Sequence, residues 1–139
     1  MIQLINRPNY IERISPFINK NIIKVLTGQR RVGKSCILRQ IQVHIEATEP
    51  NSNIISINKE LEEFALIRNH EDLSQYISSR LKDGVANYLF IDEVQDITGF
   101  ENTLRSLQAQ DACDIFITGS NATMLSSELS TYLSGRYIE

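Results

Sequence analysis

Two glycines, a lysine and a serine fall where a polyphosphate would need them in Gly28-Gln29-Arg30-Arg31-Val32-Gly33-Lys34-Ser35, the pattern G-x-x-x-x-G-K-[ST]. Glycines let the backbone turn tightly and bring its N–H groups close to phosphate oxygens. A helix opening at Lys34 would add its unpaired N–H groups and the positive end of its dipole. Lys34 would then reach the β- and γ-phosphates of a nucleoside triphosphate, and the Ser35 hydroxyl would ligate Mg2+. The nucleotide-contacting stretch is drawn through Cys36. Arg30 and Arg31 either add positive potential around the triphosphate or face solvent. The competing reading of the stretch is a surface turn that happens to contain glycine and lysine.

A second group with chemical potential is Asp92-Glu93, which closes the apolar run Tyr88-Leu89-Phe90-Ile91. After a phosphate loop, an acid at the end of a strand holds the magnesium, usually through water, and an adjacent glutamate polarises the attacking water. Asp92 takes the first role and Glu93 the second; plain solvated charge is the alternative. Glu93 also separates classes of protein. Small-molecule kinases do not generally need a water-activating glutamate there, whereas ATP-hydrolysing motors and switches do. A GTPase is the other rival, through Asp96-Ile97-Thr98-Gly99, which spells D-x-x-G. Yet Asn58-Lys59-Glu60-Leu61 lacks the aspartate of N-K-x-D and precedes that segment, so both are read as coincidences.

These groups need a scaffold that brings them to one edge. Apolar runs of strand length alternate with stretches of helical period, which predicts βαβ units and a parallel sheet. The expected strands are 22–26, 53–57, 87–91 and 114–118, whose near-continuous apolar runs suit burial on both faces. Helices are expected over 34–47, 70–82, 100–110 and 122–133, with Gly84 and Gly135 as stops. A short helix over 7–19, with Pro8 near its start, is expected to pack through Ile11, Ile14 and Phe17 or Ile18. Arg136-Tyr137-Ile138-Glu139 reads as the opening of a fifth strand, and the chain as a C-terminally truncated piece.

With 139 residues, 42% of them hydrophobic, the chain is expected to form one domain, 1–139, with a real core. A formal charge of -3 gives no basic stripe announcing nucleic acid. No apolar run nears the ~20 residues of a membrane span, and residues 1–9 lack the features of a signal peptide, so a cytoplasmic protein is expected. Cys36 and Cys113 are expected to be reduced thiols, and His44 and His70 surface residues.

With the motifs in this order, the chain resembles the AAA+ superfamily, in particular prokaryotic AAA-type ATP-binding proteins with a nuclease-like C-terminal domain. The resemblance rests on Gly28 to Ser35, Leu89-Phe90-Ile91-Asp92-Glu93-Val94-Gln95, Ile117-Thr118-Gly119-Ser120-Asn121-Ala122 and Leu133-Ser134-Gly135-Arg136-Tyr137. It implies a three-layer αβα P-loop NTPase fold with a parallel five-stranded sheet of order 2-3-4-1-5. It implies ATP and Mg2+ as ligands, and hydrolysis coupled to rearrangement of a partner or of a further domain. A slow-hydrolysing regulatory switch and a DNA-transaction ATPase remain alternatives, and self-association through AAA+-type interfaces is possible.

The resemblance also distributes roles. The inserted strand ends at a sensor position that places the attacking water, with Ser120 the first choice, Asn121 the second and Thr118 the third. A helix cap is the plainer job for Ser120 and Asn121. Asn58 is similar to the polar partner that restrains the catalytic glutamate, or is a turn former. Arg136 is similar in placement to a Gly-Arg motif that meets the γ-phosphate in its own or a neighbouring subunit. The helical lid with its second sensor arginine, and the nuclease-like domain, have no counterpart in these 139 residues.

Overall fold

Ile, Leu, Phe and Tyr dominate the runs that form strands, because branched and aromatic side chains pack well on a pleated surface. The computed structural model describes residues 23–26, 34–119 and 137–138. In it the elements follow in the order β1 (Lys24–Leu26), α1 (Lys34–Thr48), β2 (Asn53–Asn58), α2 (His70–Ser78), β3 (Asn87–Asp92), α3 (Phe100–Gln110), β4 (Asp114–Thr118) and β5 (Tyr137–Ile138). Short 3-10 turns at Glu62–Phe64 and Val94–Asp96 follow β2 and β3. The expected helices over 7–19 and 122–133, and the loop Gly28 to Gly33, lie outside the described residues.

The five strands form one sheet of order β2-β3-β4-β1-β5, and every pairing is parallel. β4 is inserted between β3 and β1, as the resemblance implied. Register carries the alternation of side chains across the sheet. Phe90 stands beside Phe116, which stands beside Lys24, while Ile91, Ile117 and Val25 make the next row. Successive side chains point to opposite faces, so one row meets one helical layer and the next row the other.

One face is covered by α1. Its Ile37, Leu38, Ile41 and Ile45 recur at helical spacing and bury Tyr88, Phe90 and Phe116. The rings of Phe90 and Phe116 stack at 4.8 Å with an interplanar angle of 8°. On the other face Leu73 and Ile77 of α2 and Leu104 and Leu107 of α3 cover Ile55, Ile57, Leu89, Ile91, Ile115 and Ile117. Three layers follow, with an apolar core on each side of the sheet. That double burial accounts for the uninterrupted apolar runs.

One helix ends sooner than its sequence predicts. α2 stops at Ser78, four residues short of Lys82. The Arg80 carbonyl and the Lys82 backbone groups are taken by asparagines of the sheet: Asn53 Nδ2 donates to the Arg80 carbonyl at 2.7 Å. The Asn87 amide accepts from the Lys82 N–H at 3.1 Å and donates to its carbonyl at 2.9 Å. These side chains offer the backbone an alternative to continuing the helix. No described helix is long and apolar enough to cross a membrane.

Candidate functional site

A parallel sheet sends all of its strand ends the same way. Leu26, Asn58, Asp92 and Thr118, the last residues of β1, β2, β3 and β4, therefore lie along one carboxyl edge. α1 is the crossover between the parallel strands β1 and β2, so its N-terminus opens on the same edge. Its first turn holds no acidic residue, which leaves the positive end of the helix dipole uncompensated by its own sequence. Crevices at such edges, where the strand order reverses, are where open α/β sheets take ligands. Of the stretch 28–36, the backbone of Lys34 and Ser35 and the half-buried Cys36 are described. The side chains of Lys34 and Ser35 and all of residues 28–33 lie outside the described residues.

The two acids occupy the buried end of β3. Asp92 is 5% and Glu93 3% exposed. Taking carboxylates out of water is costly without hydrogen-bond partners, and Thr118, fully buried at the end of β4, supplies two contacts at once. Its Oγ1 hydroxyl donates to Asp92 Oδ1 and accepts the Glu93 backbone N–H at 3.0 Å. This contact depends on the sheet order, because the β3–β4 register that pairs Ile91 with Ile117 brings Thr118 beside Asp92. Thr118 was only the third choice for the sensor position, and a bridge between the two acids was not anticipated. Ser120 and Asn121 lie outside the described residues, as does Arg136.

Glu93 is held by a backbone that few residues adopt. Its φ of 59° and ψ of 54° lie in the left-handed region, which non-glycine residues rarely enter, and it leads into the turn Val94–Asp96. Such conformations persist where surrounding contacts over-determine them. Here the N–H goes to Thr118, and the carbonyl accepts the Asp96 N–H at 3.2 Å. The turn carries Gln95 back over the acid, and Gln95 Nε2 donates to Glu93 Oε2.

Asn58 stands opposite Asp92 in the β2–β3 register, but its Oδ1 accepts the Glu60 N–H at 3.0 Å and closes a local turn. Gln95 supplies a side-chain amide to Glu93. Lys59 turns away from the crevice, with Nζ donating to the carbonyls of Phe64 at 2.8 Å and Ile67 at 2.6 Å. The segment 96–99 has a structural role. Thr98 bridges to Asn69, and Gly99, at φ 72°, starts α3 with His70 so close that an added Cβ would sit 2.8 Å from its ring.

Asp92 suits a magnesium site shared with phosphate oxygens. Mg2+ binds through one or two carboxylates plus substrate phosphates and keeps several waters, instead of filling an all-protein cage.

Comparison with known proteins bears on this arrangement. A family model described as an AAA domain matches residues 20–139. An uncharacterised protein of Haemophilus influenzae is 36% identical over 138 residues, covering 98% of this chain and 34% of the relative. An uncharacterised protein of Methanocaldococcus jannaschii is 34% identical over 120 residues, covering 86% of this chain and 26% of the relative. The chain thus spans about a third or less of the length of these curated relatives. Among solved structures, C. elegans PCH-2 superposes with a TM-score of 0.54 over 93% of this chain and 38% of its own, at 21% identity, a likeness of fold.

Proposed function

The chain belongs to the AAA domain family, of the AAA+ P-loop ATPase type, and from that premise we propose that it binds Mg-ATP at the carboxyl edge and hydrolyses it. The observation that carries the reading is the convergence of Asp92, Glu93 and Thr118 at the edge where α1 begins. Gly28, Gln29, Arg30, Arg31, Val32 and Gly33 wrap the phosphates, with Lys34 on the β- and γ-phosphates and Cys36 at the end of the contact stretch. Ser35 and Asp92 hold Mg2+, which when bound neutralises charge developing on the phosphates. Glu93 takes the proton of the attacking water as general base. Ser120 or Asn121 helps place that water, and Arg136, from this subunit or a neighbour, meets the γ-phosphate. Asn58 stands by as a polar neighbour of the acid pair.

Burial supports the base assignment. A carboxylate enclosed by protein presents fewer geometries to a reactant than one in solvent, and positioning accounts for much of the rate in phosphoryl transfer. The energy released would drive rearrangement of a partner or of a further domain, in a cytoplasmic protein able to self-associate.

The test is ATP turnover by the full-length protein. Glu93→Gln is expected to lower kcat on the order of 10²- to 10⁴-fold, the usual share of a general base, while Mg-ATP still binds. Turnover by Glu93→Gln at the wild-type rate would remove the assignment.

A further inference from the structure

Gln95 belongs to the segment Leu89 to Gln95 that carries the family resemblance, yet none of the roles above uses it. It meets the buried Glu93 carboxylate. Glu93 is 3% exposed, and Gln95 Nε2 donates to Glu93 Oε2 from the first turn after the acid. The other end of the same amide, Oε1, is buried and has no hydrogen-bond partner. Leaving a buried acceptor unpaired is unfavourable, so the amide is not held in place by that end. Its orientation is set by Glu93, because turning it over would bring Oε1 against a carboxylate oxygen. The backbone makes this contact possible: the left-handed conformation of Glu93 starts the 3-10 turn Val94–Asp96, and that turn returns residue 95 to the acid two positions before it.

We propose that Gln95 is a positioning residue that fixes the Glu93 carboxylate for attack. The inference rests on the reading of Glu93 as general base. The Glu93 backbone is anchored by Thr118 and by the Asp96 N–H. A backbone anchor by itself does not fix a glutamate side chain, which turns about three bonds, and a reactive group displaced by about 1 Å can lose on the order of 10²-fold in rate, so each contact at the carboxylate counts. The Gln95 amide removes that freedom at the reactive end.

The experiment is a double-mutant cycle on ATP hydrolysis by the full-length protein, using Glu93→Gln, Gln95→Ala and their combination, with Mg-ATP binding measured on each. Gln95→Ala is expected to lower kcat about 10- to 100-fold with KM and nucleotide affinity within about twofold of wild type. In the Glu93→Gln background the same change is expected to cost less than about twofold, since a residue acting through Glu93 has nothing left to act on. Gln95→Glu, close in size but with the donor replaced by a like charge, should lose at least as much as Gln95→Ala.

Wild-type kcat in Gln95→Ala, a rise in kcat, or an equal loss in both backgrounds would overturn the inference. So would a loss that follows weakened nucleotide binding. The two readings fail separately. An inactive Glu93→Gln beside a fully active Gln95→Ala sinks only the role of Gln95, whereas an active Glu93→Gln removes the base and the positioning role with it.

Discussion

Thr118 carries a single hydroxyl, and its hydrogen and a lone pair are committed to the two acids that matter most. It donates to Asp92 Oδ1 and accepts the Glu93 N–H. A valine of the same shape would leave that N–H and carboxylate oxygen without this partner in a fully buried place. Thr118→Val is therefore expected to cost about 1–3 kcal/mol of stability in urea unfolding, the usual penalty for a stranded buried polar group. Thr118→Ser keeps the hydroxyl and should lose less than half of that. The end of β4 was legible as polar and near the site. Which atom Thr118 would touch was not, because the contact joins residues 26 positions apart.

At the level of elements, β1 is a three-residue strand between β4 and β5, and it carries a lysine on a buried face. Lys24 is 1% exposed, pairs with Asp114 at the start of β4 and lies 5.1 Å from the centre of the Phe116 ring. Burial lowers the Lys24 pKa, and the Asp114 charge and hydrogen bond oppose that shift. Removing the acid from a buried ion pair is strongly destabilising, so Asp114→Asn is expected to cost about 3–5 kcal/mol. Replacing both partners with apolar residues, Lys24→Met with Asp114→Leu, should come within about 1 kcal/mol of wild type or exceed it. Urea unfolding reads both.

The single variant should also regain stability as pH rises toward 10.5, the ordinary lysine value. With the folded pKa depressed, the unfolded chain binds more protons in that range, and stability climbs with pH. Sequence placed Lys24 inside a strand correctly. It offered no reason for a charge there, since the reason is a partner 90 positions away. Cys113, beside that pair, is a buried free thiol; burial first, then Asp114 and Asp111, pushes its pKa up to about 12.

For the whole molecule, the site exists because parallel strands end together and β4 inserts between β3 and β1. A ligand held by several elements stabilises the fold by mass action, about 2.7 kcal/mol at a hundredfold excess over its Kd. Mg-ATP should therefore raise the melting temperature of wild type and of Glu93→Gln alike. Lys34→Ala should show little rise at the same concentration, and chelating the metal should reduce it for all three. A rise in Lys34→Ala equal to wild type would place the nucleotide elsewhere than the loop at Gly28 to Ser35.

Sequence by itself determined the alternation of apolar runs and helical stretches, the phosphate-loop pattern and the acid pair that closes β3. These are local, because a strand's burial, a glycine turn and a helix start are written within a few neighbouring residues. Resemblance supplied the strand order, which periodicity alone does not contain. Tertiary structure decided the rest: that Thr118 bridges Asp92 and Glu93, that the Gln95 amide meets the Glu93 carboxylate, that α2 stops at Ser78, and that Lys24 has Asp114. Each depends on where a neighbouring strand or turn places one polar atom. Hydrogen bonds and ion pairs are decided over fractions of an ångström, whereas hydrophobic burial follows a pattern that the chain repeats.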